Sequence, residues 1–305
     1  MDSIKRALLE KIADLHEVPE GAYNIRANGK ADGRKTTANI DIVSKTDKQG
    51  IDVIIKENTK NESVHIPVII SESGLSELVY NDFYIGDGAD VTIIAGCGIH
   101  NCGDQESRHD GVHAFHIGKG AKVRYVERHY GDGDGTGERV MNPSTVIEID
   151  EGGSMEMETT QIKGVDSTVR DTRATIAEGG TLIVREKLMT HGNQYAETEF
   201  TVDLNGKGAS ANVISRSVAK DESKQKFISR INGNSECYGH TECDAIIMDN
   251  ASVCAIPEIT ANDINASLIH EAAIGKIAGE QLTKLMTLGL TEKEAEEQIV
   301  NGFLK

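Results

Sequence analysis

Hydrophobic and polar positions alternate along this chain with two different periods. Between Ser3 and Leu15 the apolar residues Ile4, Leu8, Ile12 and Leu15 recur at helical spacing, with Ser3 placed to cap. That pattern predicts a short amphipathic helix. From about Thr37 the period falls to two: Ala38, Ile40 and Ile42 alternate with polar partners, and Ile51-Asp52-Val53-Ile54-Ile55 follows. Strands broken by Gly, Asn and Asp turns then continue to about Ile259. Helical spacing returns with Leu282, Leu285 and Met286; Gly289 supplies a stop, and Thr291 with Glu294 forms a capping box for a second helix to about Val300. Both late helices carry narrow apolar stripes, so they need a surface to dock on.

Within the strand region one corner recurs. Gly88-Ala89-Asp90-Val91, Gly120-Ala121-Lys122-Val123, Gly152-Gly153-Ser154-Met155, Gly179-Gly180-Thr181-Leu182 and Gly208-Ala209-Ser210-Ala211 share one plan of Gly, small, polar, then apolar or small. Asn250-Ala251-Ser252-Val253 reads as a sixth corner, with Asn in the left-handed role of Gly. A period of this length marks stacked coils whose apolar faces cover one another. An antiparallel sandwich, whose strands recur at shorter intervals, is the alternative left open by the pattern.

Composition narrows the core. Of 305 residues 38% are hydrophobic, only 4% are aromatic, and none is Trp. Such a core is built of small and β-branched side chains, which suits stacked ladders better than a pocket needing bulky anchors. The net charge of −17 opposes a nucleic-acid footprint. No apolar run reaches the length of a membrane span, and the start, Met1-Asp2-Ser3-Ile4, lacks a signal-peptide core, so a cytoplasmic protein is expected. The five cysteines, Cys97, Cys102, Cys237, Cys243 and Cys254, are odd in number and favour free thiols or metal ligands over disulfides.

Chemistry concentrates near the end. Gly239-His240-Thr241-Glu242-Cys243-Asp244 is followed by Ala255-Ile256-Pro257-Glu258-Ile259, by His270-Glu271-Ala272-Ala273-Ile274-Gly275-Lys276-Ile277, and by Gly302-Phe303-Leu304. A thiol, an imidazole and a carboxylate between residues 243 and 271 suit a soft, partly exposed metal. The spacing Cys237-x5-Cys243 fits no common zinc pattern; His240 between them is equally a ligand or a partner of the adjoining turn. Cys254 precedes an apolar pair and is expected in the core.

The order and spacing of these pieces resemble the C-terminal core of the SufB/SufD family, the scaffold subunits of iron–sulfur cluster assembly. The resemblance implies a right-handed parallel β-helix with short helices at both ends: a helical segment over 1–36, a β-helix over 37–264, and a segment over 265–305 that docks a SufC-type ABC ATPase through Leu282, Leu285 and Met286. It implies that Cys243 accepts sulfur and binds iron, with His270 and Glu271 as further ligands and Cys237 and His240 as candidates. Because one chain carries both Cys243 and His270, it implies a homodimer that builds a transient cluster where Cys243 of one protomer faces the partner's His270. A sulfur donor and apo iron–sulfur proteins would be further partners, and ATP hydrolysis would be the partner's. The chain opens almost at the family's core, so no sulfurtransferase docking or flavin role is carried over from the SufB N-terminal region. Ile269 stands where SufB-like chains often have an acid. The alternatives are a polysaccharide hydrolase on a solenoid, disfavoured by the lack of Trp and an export signal, and a metal-free structural solenoid.

Two motifs stand outside that core. Cys97-Gly98-Ile99-His100-Asn101-Cys102, with His109, His113 and His116 behind it, lacks the second module of a zinc knuckle. His113 shares its face with Phe115 and Ile117 and is expected to point inward. Gly131-Asp132-Gly133-Asp134-Gly135-Thr136-Gly137 matches no nucleotide-binding loop and reads as a solvated loop.

Overall fold

The computed structural model describes residues 3–15 and 19–305. The segment expected to be helical over 1–36 therefore includes residues, 1–2 and 16–18, outside the described ones. Helix α1 (Ser3–Ala13) is followed by two hairpins, β1 (Ala22–Ala27) with β2 (Lys30–Lys35) and β3 (Ile40–Ser44) with β4 (Gly50–Ile55). The chain then winds as β5 (Lys60–Ile70), β6 (Ser76–Ile85), β7 (Asp90–His100), β8 (Ser107–Ile117) and β9 (Lys122–Asp132). Next come β10 (Arg139–Met141), β11 (Ser144–Ile149), β12 (Ser154–Lys163), β13 (Ser167–Ile176), β14 (Thr181–Thr190) and β15 (Tyr195–Leu204). The last strands are β16 (Ser210–Ala219), β17 (Lys224–Gly233), β18 (Tyr238–Ile247), β19 (Ser252–Ala261) and β20 (Ser267–Gly275), ahead of α2 (Gly279–Thr287) and α3 (Glu292–Phe303).

Successive strands alternate between two sheets. One runs β2-β1-β5-β7-β9-β12-β14-β16-β18-β20, the other β19-β17-β15-β13-β10-β8-β6-β4-β3, with β11 also joining β13 and β8. Every pairing outside the two hairpins is parallel and mostly in unbroken register, which makes a β-solenoid of about 8 turns rather than a sandwich. Inward positions form ladders of Ile, Val, Ala, Met and Phe between the sheets, from Ile40 and Val53 to Leu204 and Ile231. No helix among the described residues is long and apolar enough to cross a membrane.

The five Gly corners stack on one edge. Gly88, Gly120, Gly152, Gly179 and Gly208 all have φ between 62° and 73°, and each donates its N–H to the carbonyl of the coil above, as Gly152 does to Glu178 at 2.8 Å. The side-chain-free turn lets coils rest on one another: a Cβ on Gly179 would stand 3.9 Å from the Cα of Gly152. The sixth corner differs from expectation. Asp249, with φ 55°, holds the left-handed position, and this turn stacks on Asp221 at the opposite edge, leading into β19 of the other sheet. Asn and Asp tolerate that conformation alike, so the sequence does not tell adjacent members of the pair apart.

The helices flank the barrel of ladders. Leu8, Leu9 and Ile12 of α1 lie over the outer face of β7, where Gly96 and Gly98 leave room; a Cβ on Gly96 would meet the Ile12 carbonyl at 2.6 Å. At the other end α3 is capped by the expected Thr291–Glu294 box and seats Val300 and Leu304 against Val218. Helix α2, stopped by Gly289 at φ 98°, buries none of its residues.

Candidate metal centre

Strand parity sorts the candidate ligands into two groups. On β18 the residues Gly239, Thr241, Cys243 and Ala245 face inward, whereas His240, Glu242 and Asp244 face out. Strand β20 pairs with it so that His270 lies beside Thr241, Glu271 beside Glu242 and Ala272 beside Cys243. His270 and Cys243 thus share the inward face, diagonal neighbours whose Cα atoms are roughly 8 Å apart by strand spacing and rise. Glu271 and His240 share the outward face. Cys237 sits in the turn before β18, buried against the core between the sheets.

Cys243 is only 1% exposed, in an inward row where Glu186, Ser215, Cys243 and Ala272 occupy the same register on β14, β16, β18 and β20. Burial pushes its thiol up to about 12, and the nearby carboxylates of Glu186 and Asp244 add to the effect. At neutral pH the sulfur is therefore a protonated thiol, whereas the thiolate is the form that ligates metals. Glu186 is itself satisfied, accepting from the Ser215 hydroxyl at 2.7 Å and the Thr198 hydroxyl at 2.9 Å. His270 has its Nδ1 buried with no hydrogen-bond partner among the described residues, and burial, with His240 nearby, holds its pKa below the usual value. An orphaned, neutral imidazole nitrogen is suited to a cation.

On the outside, His240, Glu242 and Glu271 bring ligand atoms within 4.8 Å of one another. His240 donates through Nδ1 to Asn212 Oδ1 at 2.9 Å, which leaves Nε2 free, 3.5 Å from Glu271 Oε2. The Glu242 carboxyl is raised, first by burial and then by its contact with Asp244. Glu242 was not singled out from the sequence, although its position two residues from His240 in a strand places both on one face. Cys254 corrects an expectation: it is exposed, because Val253 and Ala255 take the inward positions beside Gln225 and Phe227. His113 is buried as expected, beside Phe115 and Ile117.

Both strands that carry His270 and Cys254 are sheet ends. Strand β19 ends one sheet and β20 the other, leaving unpaired backbone along each. Ile256, Ile259, Ile264, Ile269 and Ile274 stand exposed around that open end.

Residues 73–303 match the family described as SUF system FeS cluster assembly, SufBD core domain. The chain belongs to the SufBD family. It is 31% identical over 255 residues to an iron–sulfur cluster assembly SufBD family protein of Methanocaldococcus jannaschii, covering 83% of this chain and 79% of that protein. Similarity to the SufBD proteins of Archaeoglobus fulgidus (31% over 231 residues, 74% of this chain) and Methanothermobacter thermautotrophicus strain Winter (30% over 244 residues, 78% of this chain) is of the same order. This SufBD chain spans 60% and 57% of the length of those two relatives. Membership places it in iron–sulfur cluster assembly, a scaffold-type role, and the site on β18 and β20 lies inside the matched core.

Proposed function

We propose that this SufBD chain is a cytoplasmic homodimeric scaffold whose cargo, a nascent iron–sulfur cluster, is built where two open solenoid ends meet. The observation that carries this reading is the juxtaposition at the open end: an inward thiol at Cys243, an imidazole at His270 whose Nδ1 has no hydrogen-bond partner among the described residues, and two edge strands with exposed isoleucines. A two-fold axis across those edges pairs each Cys243 with the partner protomer's copy of the histidine at position 270 and gives two equivalent half-sites. Glu271, His240 and Cys237 are further ligands, reached from the outer face and the adjoining turn. Of the three segments proposed, 1–36, 37–264 and 265–305, the last carries His270 together with helices α2 and α3. Helix α2 leaves Leu282 and Leu285 half-buried and Met286 exposed, a face free to receive a SufC-type ATPase. ATP-driven closure of that partner opens the last coil and frees the Cys243 thiol. Persulfide sulfur comes from a donor and the finished cluster leaves to apo iron–sulfur proteins. Five free cysteines suit a reducing compartment.

Anaerobic reconstitution with iron and sulfide tests the site. Cys243→Ser should abolish retained iron, since a hydroxyl is a poor ligand at neutral pH, and His270→Ala should reduce it. Dimers mixed from Cys243→Ser and His270→Ala protomers keep one intact half-site and should hold about half the wild-type iron. Wild-type iron in Cys243→Ser protein would assign Cys243 a structural role. Leu285→Asp with Met286→Asp should lose capture of the ATPase while the melting curve stays in place; retained capture would exclude α2 as the docking face.

A further inference from the structure

The outer face of the early coils carries a groove that the scaffold reading does not use. One wall is a single register row on β4, β6, β8, β11 and β13, where Ile54, Tyr84, His116, Glu148 and Thr175 lie side by side. The rest of the lining comes from the corners that follow those strands, among them Gly86, Gly118 and Asp150. The groove holds about 1040 Å³, at the upper end of the range for ligand sites. Four strand spacings of about 4.8 Å make the row roughly 19 Å long.

Its two halves differ in chemistry. At the β4 end Ile54 and Tyr84 are each 42% exposed, and Lys56 and Glu57 offset each other in charge. Tyr84 is stacked on His116, with ring centroids 4.9 Å apart and planes 10° from parallel. His116 is fixed in turn by its Nδ1, 2.7 Å from Glu148 Oε2. A ring held this way loses little freedom when a side chain packs on it. At the other end, among the described residues, Glu148 meets only that imidazole and Asp150 has no ion pair. Outer-face carboxylates elsewhere are answered by cations of a neighbouring coil: Glu156 by Arg185, Glu158 by Arg124, and both Glu199 and Glu258 by Arg230. This end of the groove thus keeps negative charge without a fixed cation.

The backbone of the corners is already satisfied. Gly86, Gly118 and Asp150 donate their N–H groups to the carbonyls of Ile55, Ile85 and Ile117, each at 2.9 Å. No edge is left there to which a strand could add, so recognition falls to side chains. We propose that the groove takes an extended peptide segment of another protein, apolar or aromatic at the Ile54–Tyr84 end and carrying Lys or Arg at the Glu148–Asp150 end. About seven residues, at roughly 3.3 Å each, would match the length of the row. Charge complementarity selects the basic end, and the exposed ring selects the apolar one. The inference stands apart from the cluster site on β18 and β20, which lies several coils away.

A random heptapeptide library displayed on phage and selected on the purified full chain tests this. Enriched sequences should join an aromatic or large apolar residue to Lys or Arg several positions away. A synthetic peptide of the winning sequence should bind at one site per chain in titration calorimetry. Tyr84→Ala, and separately Glu148→Gln with Asp150→Asn, should each weaken it at least about tenfold. Glu292→Gln with Glu297→Gln removes the same charge from exposed positions on α3 and should leave the affinity within about twofold. All these side chains reach the surface, and an unchanged melting curve keeps each comparison on folded protein. Four results overturn the proposal: no enrichment, winners without a basic residue, basic winners indifferent to Tyr84→Ala, or equal loss from the two carboxylate pairs. Groove variants that turn a dimer of the free chain into a monomer would assign the groove to a second copy and overturn it as well. No iron is used, so either outcome leaves reconstitution at Cys243 to be judged on its own.

Discussion

The two ends of the solenoid meet the same problem and answer it differently. At the first end the sheets finish in antiparallel hairpins, and the outermost strand, β2, carries Lys30, Asp32, Arg34 and Lys35 along its edge. Charges and a short length blunt an edge against further pairing. Helix α1 then covers the outer face nearby. At the last end β19 and β20 remain parallel, ten and nine residues long, and expose Ile256, Ile259, Ile269 and Ile274, with Glu258 and Glu271 as their carboxylates. The first end is closed off by hairpins and a helix; the last is an open sheet edge. Interior chemistry does not follow that division. In the middle coils one buried ionic network is satisfied: the Tyr125 hydroxyl donates to Glu127 at 3.0 Å and accepts from His113 at 2.8 Å, and Arg170 donates to Glu127 at 2.6 Å. Burial alone would raise the Glu127 carboxyl, but the Arg170 guanidinium overrides it and holds it well below the usual range. Among the described residues a buried histidine Nδ1 has no hydrogen-bond partner near either end, that of His65 near the first and that of His270 near the last.

Substitutions can break this contrast. Ile12, with no exposed surface, should cost about 2–5 kcal/mol when replaced by Ala, read from urea unfolding, with no change in reconstituted iron. A loss of iron in that variant would show that the ends are coupled. Acid should act next. Burial lowers His113 to about 4, against an unfolded value near 6.5. Unfolding therefore takes up a proton as pH falls through that window, and about 3 kcal/mol of stability present above pH 6.5 should be gone by pH 4. His113→Gln should flatten that slope, and His270→Gln should flatten it less, being only partly buried. The smallest effect on the fold should come from the open edge. Ile264, 98% exposed, and Ile269 can both become Asp with a change within about 0.5 kcal/mol. Sedimentation of the same protein should nonetheless show self-association weakened at least about tenfold, or about 1.4 kcal/mol. An intact dimer would remove β19 and β20 from the interface.

Legibility in the sequence followed the strength of alternation. The Gly corners announced the coils, and His113 was placed correctly because Phe115 and Ile117 mark its face. At the open end, where both faces of β19 meet water, the parity signal fades, so Cys254 was placed inward and lies outward. The sorting of Cys243 and His240 to opposite faces was available from spacing alone. Contacts between coils were harder. His100 with Asp132, Glu77 with His109 and His116 with Glu148 are all 32 residues apart, the local coil length. That interval was visible in the Gly corners, but its use as a ladder of side-chain partners needed the parallel register to be known.

The coils between Gly88 and Gly152 are 32 residues long, and the next two are 27 and 29. The loops at 101–106 and 133–138 account for most of the extra length. Because each coil touches only its neighbours, such loops project sideways without disturbing the ladders before or after them. The fold is thus a rack with interchangeable shelves: surface chemistry can be lengthened, shortened or transplanted at this one margin while Cys243, many strands away, keeps its register.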